Sequence, residues 1–403
     1  MRYCIISIYS FPNGLAATNR IIAYSKGLLS NGVSIDVLIT HPTDQNNNNK
    51  ELLLKNGIYQ GINFKYVTKR YKNKYKIIRA FLHLSRLRSF IGYLFTAREI
   101  IINNRKRPYD SILVSNDRIF FLFFYIIISK IIKTKLIFVF DEYPTPIRHK
   151  LKDNIPWIKK YSYTIILRWV DGYVSISNKL KCFYNNLYSR PTLVLPMIID
   201  TSRFKNITCK LNNPSNGYIC YMGNMELSKD NVDIIIVAFS KISNFHPKIN
   251  LQLYGQPTTQ NLNYLTNLVK GLNLSHRIFF KGIVPNHEVP NILQQSLILV
   301  SSQPETLRAS GGFPTKLGEY LASGTPTLIT NVGENSKYVK ENIHLYFSPP
   351  NDIEMYASKL NYILNNYGQA KLVANNGKIF IENNYSHKYV GKKMKDFINK
   401  LNK

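Results

Sequence analysis

Short apolar runs alternate with longer helical patterns along almost the whole chain, and this alternation restricts the possible folds most strongly. Many of the runs are apolar along their full length, as strands buried on both faces of a parallel sheet are. In the first half of the chain they lie at Tyr3–Ser7, Ser34–Ile39, Asn63–Val67, Ser111–Val114, Leu136–Phe140, Gly172–Ser175 and Thr192–Leu195. In the second half they lie at Tyr218–Tyr221, Leu251–Tyr254, Ile278–Phe280, Leu297–Ser301, Thr327–Ile329 and His344–Phe347. This repetition predicts α/β domains with doubly wound sheets.

The chain is also too long for one ordinary domain. It has 403 residues, whereas a domain usually has about 100–200. A polar, Asn-rich segment from Thr201 to Gly217 divides the two series of strands. The sequence therefore predicts two similar α/β domains joined near residue 207, with a ligand cleft at the carboxyl ends of their strands.

The charge balance is strongly basic, with 53 Lys and Arg against 23 acidic residues and a formal net charge of +30. Such a field attracts polyanions: nucleic acid, anionic lipid or phosphorylated substrates. An alternative accounts for part of the excess, because richness in Asn, Ile, Tyr and Lys also indicates an AT-rich genome.

The chain shows no sign of disulfides or membrane spans. Its four cysteines, at 4, 182, 209 and 220, have neither metal-ligand nor redox spacing, which predicts reduced residues of a cytosolic protein. The start, Met1–Tyr9, lacks a signal-peptide cleavage pattern and predicts a first strand. The most apolar stretch, Ile119–Ile128, has about ten residues, whereas a spanning helix needs about 20. We therefore expect no transmembrane segment.

The segment Gly311–Pro326, GGFPTKLGEYLASGTP, has the densest structural signals. Gly311 and Gly312 permit a tight turn or close approach of the backbone to a ligand. Pro314 suits a first helical turn and Gly324 the position just past a helix, so the segment predicts a helix over Pro314–Ser323.

Lys316 and Glu319 lie three residues apart near the amino end of this predicted helix and share one face. The helix amides favour an anion, the Lys adds a charge for phosphate, and the Glu can accept two hydroxyls of a ribose. The alternative is a surface helix on which the two side chains form an i,i+3 ion pair.

This segment resembles the nucleotide-sugar signature of the retaining glycosyltransferases of family 4, which have the GT-B fold of two Rossmann-like domains with a cleft between them. Many members have Pro-x-Lys-Leu-x-Glu-Tyr-(Leu/Met)-Ala-x-Gly-x-Pro, which stands here as Pro314, Lys316, Leu317, Glu319, Tyr320, Leu321, Ala322, Gly324 and Pro326. The resemblance implies that Glu319 holds the ribose of the donor and that Gly311, Gly312, Phe313, Pro314 and Thr315 belong to the donor site. Many members have a further Glu eight residues earlier, close to the donor sugar, where this chain has Gly311.

Other features of the second half follow the family's order. Gly223 and Asn224 come after a strand, where the family has a Gly often followed by Arg. Lys229 is the cation available to neutralise a leaving diphosphate; its alternative is a solvated loop lysine. Gly255 resembles the family's glycine after the next strand, and the loop with Gly282 and Val284 resembles the one whose backbone contacts the base.

In the first half, the candidate acceptor residues follow strands. Asn13 and Gly14 stand in a loop of small residues that leads to Asn19 and Arg20, whose amides and side chains can face a diphosphate or the acceptor. The alternative is an ordinary strand–helix turn. Glu142, which ends a later strand, is predicted to shape the acceptor site, together with a basic run in which His149 is interpreted as a surface residue.

Asp117 stands where many family members have a His beside the reacting sugar, so it is the nearest residue that could take a proton. Its alternative role is the N-cap of a helix that begins at Ile119.

The stretch from Lys65 to Arg107 holds thirteen basic residues and one acid. One predicted helical face has Lys72, Lys76, Arg79, His83 and Arg86, and the other has Ile77, Phe81, Leu84, Ile91 and Leu94. Such a helix can lie on anionic lipid. Nucleic acid is disfavoured as a partner because no nucleic-acid motif accompanies the charge. The alternative is a packed helix with a solvated basic face.

Together these features predict an acceptor-binding domain over 1–206, a nucleotide-sugar-binding domain over 207–385 and a last helix over 386–403 that packs back on the first domain. The expected activity is retaining transfer of a sugar from a nucleotide diphosphate sugar to a saccharide or lipid-linked saccharide, in bacterial capsule, lipopolysaccharide or other surface polysaccharide synthesis. No Asp-x-Asp motif occurs, so neither a metal nor another cofactor is expected. The expected location is cytoplasmic and peripheral on the inner face of the membrane. Two alternatives remain: a nucleotide-sugar epimerase or hydrolase of the same fold, and a non-catalytic basic protein that binds membrane or nucleic acid.

Overall fold

The computed structural model describes residues 1–14, 16–40, 55–68, 85–115, 118–144, 147, 155–205 and 217–402, without the side chains of 85–89 and 315. These residues form two compact units. The first comprises Met1–Ile198 and the segment from His387 onward, and the second comprises Ile199–Ser386. Each unit has one sheet of mainly parallel strands separated along the chain by helices. The predicted class, α/β with two doubly wound domains, is confirmed.

The strands of the first unit are β1 Arg2–Ser7, β2 Ser34–Ile39, β3 Asn56–Tyr59, β4 Ile62–Tyr66, β5 Ser111–Val114, β6 Lys135–Phe140, β7 Gly172–Ser175 and β8 Thr192–Val194. They lie in the order β3-β4-β2-β1-β5-β6-β7-β8. The helices described are α1 Ala16–Leu29, α2 Ser85–Lys106, α3 Ile119–Ile131, α4 Trp157–Leu167 and α5 Asn178–Leu187. The core fills with side chains of the central strands and of α1.

One strand, β3, is absent from the prediction. It pairs antiparallel with β4 through a hairpin whose turn residues, Gln60 and Gly61, have φ of 50° and 82°, as a two-residue hairpin turn requires. Its side chains alternate between exposed and half-buried positions. It therefore lacks the continuous apolar run that identifies the other strands.

The second unit contains β9 Gly217–Met222, β10 Ile249–Tyr254, β11 Ile278–Gly282, β12 Ile298–Ser301, β13 Thr327–Thr330 and β14 Tyr346–Ser348. All pairs are parallel, in the order β11-β10-β9-β12-β13-β14. Its helices are α6 Val232–Ser243, α7 Thr259–Gly271, α8 Val289–Gln295, α9 Leu307–Gly311, α10 Thr315–Ser323, α11 Asn335–Tyr338, α12 Ile353–Asn365 and α13 Tyr367–Asn384.

The last helix, α14 His387–Asn402, belongs to the first unit and packs along α1. A Cβ on Gly27 would lie 2.1 Å from the carbonyl oxygen of His387, and one on Gly391 would lie 2.2 Å from the carbonyl carbon of Gly27. The two backbones can approach this closely because neither glycine has a side chain. Met394 and Ile398 of α14 enter the core of the first unit.

The division between the units precedes the junction expected near residue 207. The chain enters the second unit at Ile199, whose amide donates to the carbonyl of Tyr385 at 3.0 Å. The 3₁₀ turn Thr201–Phe204 then packs against α8 and α10. Most of the expected linker, residues 206–216, lies outside the described residues.

None of the described helices is both long and apolar enough to cross a membrane.

Candidate functional site

The strand order of the second unit reverses at β9, which has β10 on one side and the later strand β12 on the other. In open α/β sheets, ligands bind beyond the carboxyl ends of the strands at such a switch point. The loops that follow β9, β10 and β11 and the amino end of α10 therefore form the candidate site.

Helix α10 is the element predicted from the segment Gly311–Pro326. It begins at Thr315, one residue later than expected, because Pro314 is extended and occupies the N-cap. It ends at Gly324, whose φ of 70° is left-handed, as a helix C-cap requires. Leu317 and Leu321 are buried. Pro314 makes no side-chain cap hydrogen bond, and the Leu317 amide donates to the Pro314 carbonyl at 2.9 Å, so the amides of Thr315 and Lys316 are the candidates for binding an anion.

Lys316 is held in a buried cluster with two residues from other parts of the unit. Its Nζ donates to Oδ1 of Asp230 at 2.8 Å, while the hydroxyl of Tyr221 donates to Oδ2 at 3.1 Å. The ammonium also lies 4.5 Å from the centroid of the Tyr221 ring. Asp230 is 2% exposed, so its charge is satisfied almost entirely by these two contacts.

Burial lowers the pKa of Lys316, Asp230 opposes this by stabilising the ammonium, and nearby Lys229 lowers the pKa further. The net direction is downward from the ordinary lysine value. Lys316 is thus a cation whose charge depends on Asp230.

Three glycines that were predicted to belong to the donor site, Gly223, Gly255 and Gly282, lie close together beside this cluster. The amide of Gly223 donates to the carbonyl of Tyr254 at 2.9 Å, and the amide of Gly255 donates to that of Gly282 at 2.8 Å. A Cβ on Gly223 would lie 2.4 Å from the Tyr221 hydroxyl and 2.9 Å from Lys316 Nζ. A Cβ on Gly255, whose φ is 136°, would lie 1.6 Å from the Gly223 carbonyl oxygen. Only glycine fits at Gly255, where a Cβ would meet backbone, whereas a Cβ at Gly223 would displace the side chains of Tyr221 and Lys316.

The loop after β9 also carries Lys229 and Asn224. Lys229 is half-buried and forms no ion pair with the described residues. The exposed Asn224 lies 3.4 Å from Glu226, which in turn pairs with Arg308 of α9 at 3.5 Å. The loop therefore offers one cation near Lys316 that is not neutralised by a described carboxylate.

Glu319 does not pair with Lys316, so the i,i+3 interpretation of α10 is wrong. Its carboxylate accepts from Nη1 of Arg203. Nη2 of Arg203 donates to both the backbone and side-chain oxygens of Asn286, at 2.8 Å each. Glu319 and Arg203 keep 23% and 21% of their side chains exposed. Arg203 thus links Glu319 to the loop that also carries Gly282 and the half-buried Val284.

The two glycines before α10 do not form a tight turn with left-handed φ, which was one of the two roles predicted for them. Gly311 is the last residue of α9, and Gly312 has φ of −83° and ψ of 178°, which is extended backbone. The absence of a side chain at Gly312 is instead explained by close packing, since a Cβ there would lie 3.3 Å from the carbonyl oxygen of Arg308. Phe313 is buried edge-on against Tyr338, with centroids 5.6 Å apart.

In the first unit, Arg20 lies at the carboxyl ends of β1, β5 and β6. Its Nη1 pairs with Oδ1 of Asp141 at 2.8 Å, and its Nη2 donates to the carbonyl of Pro196 at 3.3 Å. Burial lowers the pKa of Arg20, but Asp141 and Tyr24 outweigh it and the pKa rises. These side chains line a cavity of about 20 Å³ with Ser115 and Tyr24, enough for about one water.

The other predicted acceptor residues are more dispersed. Asn13 is exposed, while Asn19 and Glu142 are half-buried. Gly14 has a packing role, because a Cβ there would lie 2.1 Å from Oγ1 of Thr18. Asp117 lies outside the described residues. The N-cap position of helix α3 is occupied by Arg118, which makes no side-chain cap hydrogen bond.

Residue types and spacing do not single out five residues of these sites: Arg203, Asp230, Tyr221, Asn286 and Asp141. Asp230 and Asp141 each stand next to a residue that was singled out, Lys229 and Glu142. Arg203 gave no signal, because it lies in the segment interpreted as a linker and its partner Glu319 is 116 residues away.

Comparison with known proteins gives one family and a common fold. Residues 204–380 match the family Glycosyl transferases group 1. Mannosylfructose-phosphate synthase of Agrobacterium fabrum is 30% identical over 129 residues, which are 30% of this chain and 27% of that protein. The aligned part is therefore little more than a quarter of the relative's length.

Solved structures match almost the whole chain. Sucrose-phosphate synthase from Thermosynechococcus elongatus has a TM-score of 0.73 at 15% identity, covering 99% of this chain and 98% of that one. Anabaena HepE in complex with UDP and glucose has a TM-score of 0.69 at 14% identity, covering 99% and 100%. These likenesses show a shared GT-B fold. Residues 204–380, the part of the chain that is similar to the glycosyl transferases of group 1, hold α10 and the glycine loops of the candidate site.

Proposed function

We propose that the protein transfers a sugar from a nucleotide diphosphate sugar to an acceptor hydroxyl with retention of anomeric configuration. The observation that carries the proposal is the cluster at the amino end of α10. There Lys316, held by Asp230, meets the glycine loop after β9, with Glu319 one turn further along the same helix. A helix amino end, a cation and closely approaching backbone form a site for phosphate.

In this proposal, the bond between the anomeric carbon and the diphosphate oxygen breaks and the acceptor oxygen bonds to that carbon. The diphosphate leaves with additional negative charge. Lys229, Lys316 and the α10 amides stabilise that charge, which is the main electrostatic requirement of the reaction. Glu319 accepts the ribose hydroxyls, with Arg203 fixing its carboxylate. Asp117 remains the candidate for the acceptor proton.

For the donor sugar and the acceptor, we propose chemical classes instead of single compounds. The HepE structure contains UDP and glucose, so UDP-glucose is the first donor to test. The acceptor is a saccharide or lipid-linked saccharide of a bacterial surface polysaccharide, such as capsule or lipopolysaccharide, bound in part by Arg20 and Asn19. The reaction takes place without a metal cofactor at the inner face of the cytoplasmic membrane.

Replacement of Glu319 by Ala tests the donor site. We expect nucleotide affinity and turnover to fall by about tenfold or more, because the ribose contacts are lost and Arg203 is left unpaired. Titration calorimetry with UDP and UDP-glucose measures the affinity. Glu354→Gln, which removes an exposed carboxylate of the same unit, should leave it unchanged. Equal nucleotide affinity of Glu319→Ala and the parent protein would refute the site.

Product analysis tests the reaction class. A transferase releases the nucleotide and extends the acceptor only when both substrates are present. Sugar epimerised or hydrolysed from the nucleotide without acceptor would instead support an epimerase or hydrolase of this fold.

A further inference from the structure

Helix α3 of the first unit has an unusual solvent-facing side. Phe120, Phe123, Ile127 and Ile131 follow one another at intervals of three and four residues and are all exposed, Ile131 to 63%. This spacing places them in one stripe. The opposite stripe, with Phe121, is buried. The helix is therefore apolar on both sides, although one side faces solvent.

Helix α4 packs beside α3 and continues this surface. Its exposed stripe consists of Trp157, Ile158, Tyr161 and Ile165, and Trp169 follows just after the helix. Trp157 is 77% exposed and Trp169 is 52% exposed. They are the two tryptophans of the chain. Large apolar side chains scattered singly are normal on a protein surface, but a contiguous group indicates a binding surface.

Helix α2 also packs against α3. It adds Phe90 and Leu94, which are exposed, and the Phe90 ring lies 6.3 Å from that of Phe120. We call the exposed apolar side chains of α2, α3 and α4, together with Trp169, the aromatic face. It spans three neighbouring helices of one unit.

The exposed charges around the aromatic face are mainly positive, and the nearby Asp171 pairs with Lys130 and Lys135 at 3.5 Å each. Lys160 on α4, Lys133 after α3 and Arg98 on α2 are exposed. The guanidinium of Arg168 lies 5.8 Å from the centroid of the Trp169 ring. Neither α3 nor α4 contains an acidic residue. The single acid of α2, Glu99, pairs with Lys65 at 2.7 Å.

We propose that the aromatic face docks the protein on an anionic phospholipid surface, with the apolar side chains in the interface and the cations at the headgroups. This inference rests on the proposed function, in which the protein works at the membrane, and it identifies the surface that would contact the lipid. Tryptophan and tyrosine suit the boundary between lipid and water, and lysine and arginine suit anionic headgroups. Helix α3 has 13 residues and is about 20 Å long, so it lies along the membrane instead of crossing it.

The cations around the aromatic face argue against a second copy of this chain as its binding partner. Two such faces would bring like charges together, which opposes association. An anionic bilayer supplies the complementary charge. The basic side chains that were predicted to contact lipid, from Lys72 to Arg86, lie outside the described part of the chain, whereas Ile91 and Leu94 of the predicted apolar face are exposed on α2 and belong to the aromatic face.

The full chain can be tested without donor or acceptor, because its two tryptophans lie on the face itself. Vesicles of phosphatidylcholine with phosphatidylglycerol should shift the tryptophan emission to shorter wavelength and protect it from a water-soluble quencher. Brominated phospholipid should quench it. Vesicles of phosphatidylcholine alone should bind at least tenfold more weakly, and added salt should weaken binding to the anionic vesicles.

Variants locate the contact. Ile131→Ser/Ile158→Ser changes one exposed residue on each helix and should weaken vesicle binding by about tenfold or more. Lys133→Gln/Lys160→Gln should weaken it by about fivefold per lysine. The matched control, Phe245→Ser/Leu372→Ser, changes residues of the second unit that are 74% and 61% exposed and should bind like the parent protein. Unchanged melting temperatures show that the variants are folded.

Three results would overturn the inference: no vesicle binding by the parent protein, equal binding by the Ile131/Ile158 variant, or a dimer that this variant dissociates while no vesicle binding occurs. A protein that binds nucleotide but no vesicles would refute the aromatic face as a membrane surface and would leave the proposed reaction standing. Conversely, a protein that binds vesicles but no nucleotide would refute the proposed reaction and not the aromatic face.

Discussion

Asp230 shows how single residues organise the candidate donor site. One of its carboxylate oxygens holds Lys316 and the other accepts from Tyr221, while the residue itself is buried. Arg203 does the same for Glu319 and Asn286. The two residues that the motif points to, Lys316 and Glu319, are thus each positioned by a partner outside the motif.

We expect Asp230→Asn to move the pH dependence of nucleotide binding to lower pH. Burial lowers the pKa of Lys316 and Asp230 opposes this effect, so the variant lowers the pKa further. As the pH rises, the variant therefore loses the Lys316 ammonium, and the nucleotide affinity that depends on it, at a lower pH than the parent protein does. Calorimetric titration with UDP measures the shift. It should extend from about neutral pH to the ordinary lysine pKa of roughly 10.4. Identical profiles for the variant and the parent protein would contradict the role of Asp230.

The linked effect on stability has the opposite direction. Between the lowered folded pKa of Lys316 and the ordinary lysine value, the unfolded chain binds more protons, so the contribution of this group to stability increases with pH. In Asp230→Asn this window extends to lower pH. We expect the substitution itself to lower the free energy of unfolding by about 1–3 kcal/mol, since a buried charged hydrogen bond is weakened.

Gly223→Ala should reduce nucleotide affinity by about tenfold or more and lower the free energy of unfolding by about 1–3 kcal/mol. The added Cβ would lie 2.4 Å from the Tyr221 hydroxyl and 2.9 Å from Lys316 Nζ, so the cluster must move. Gly368→Ala is the control, because a Cβ at this helical position meets no atom within 4 Å. It should be neutral or stabilising by about 0.5–1 kcal/mol. Calorimetry and thermal unfolding measure both variants.

At the scale of elements, local signals located most of the described strands and bounded helix α10 closely. Pro314 and Gly324 delimited α10 to within one residue because they restrict the backbone by themselves. The apolar runs located 13 of the 14 strands in the described part of the chain, and the exception, β3, has no buried run. The pairing of α14 with α1 depends on a close approach at Gly27 and Gly391 that no local pattern encodes.

Gly27→Ala should weaken this helix pairing. The new Cβ would lie 2.1 Å from the carbonyl oxygen of His387, which forces α14 away from α1 and costs about 1–3 kcal/mol of stability. Thermal unfolding and limited proteolysis of the carboxyl-terminal segment report the change. A variant with unchanged stability and unchanged protease resistance would show that the contact is less tight than described.

For the whole molecule, the sequence alone determined the α/β class and the two series of strands, and it predicted a phosphate-type site on α10. Apolar runs, helix boundaries and a contiguous motif are local, so each can be recognised within a few residues. Only the tertiary structure decided where the units divide, that Asp230 and Arg203 hold Lys316 and Glu319, and that exposed aromatic residues of α2, α3 and α4 form one face. Such partners are 86 and 116 residues apart in the chain. Their contact energies depend on distances in space, which no spacing along the sequence records.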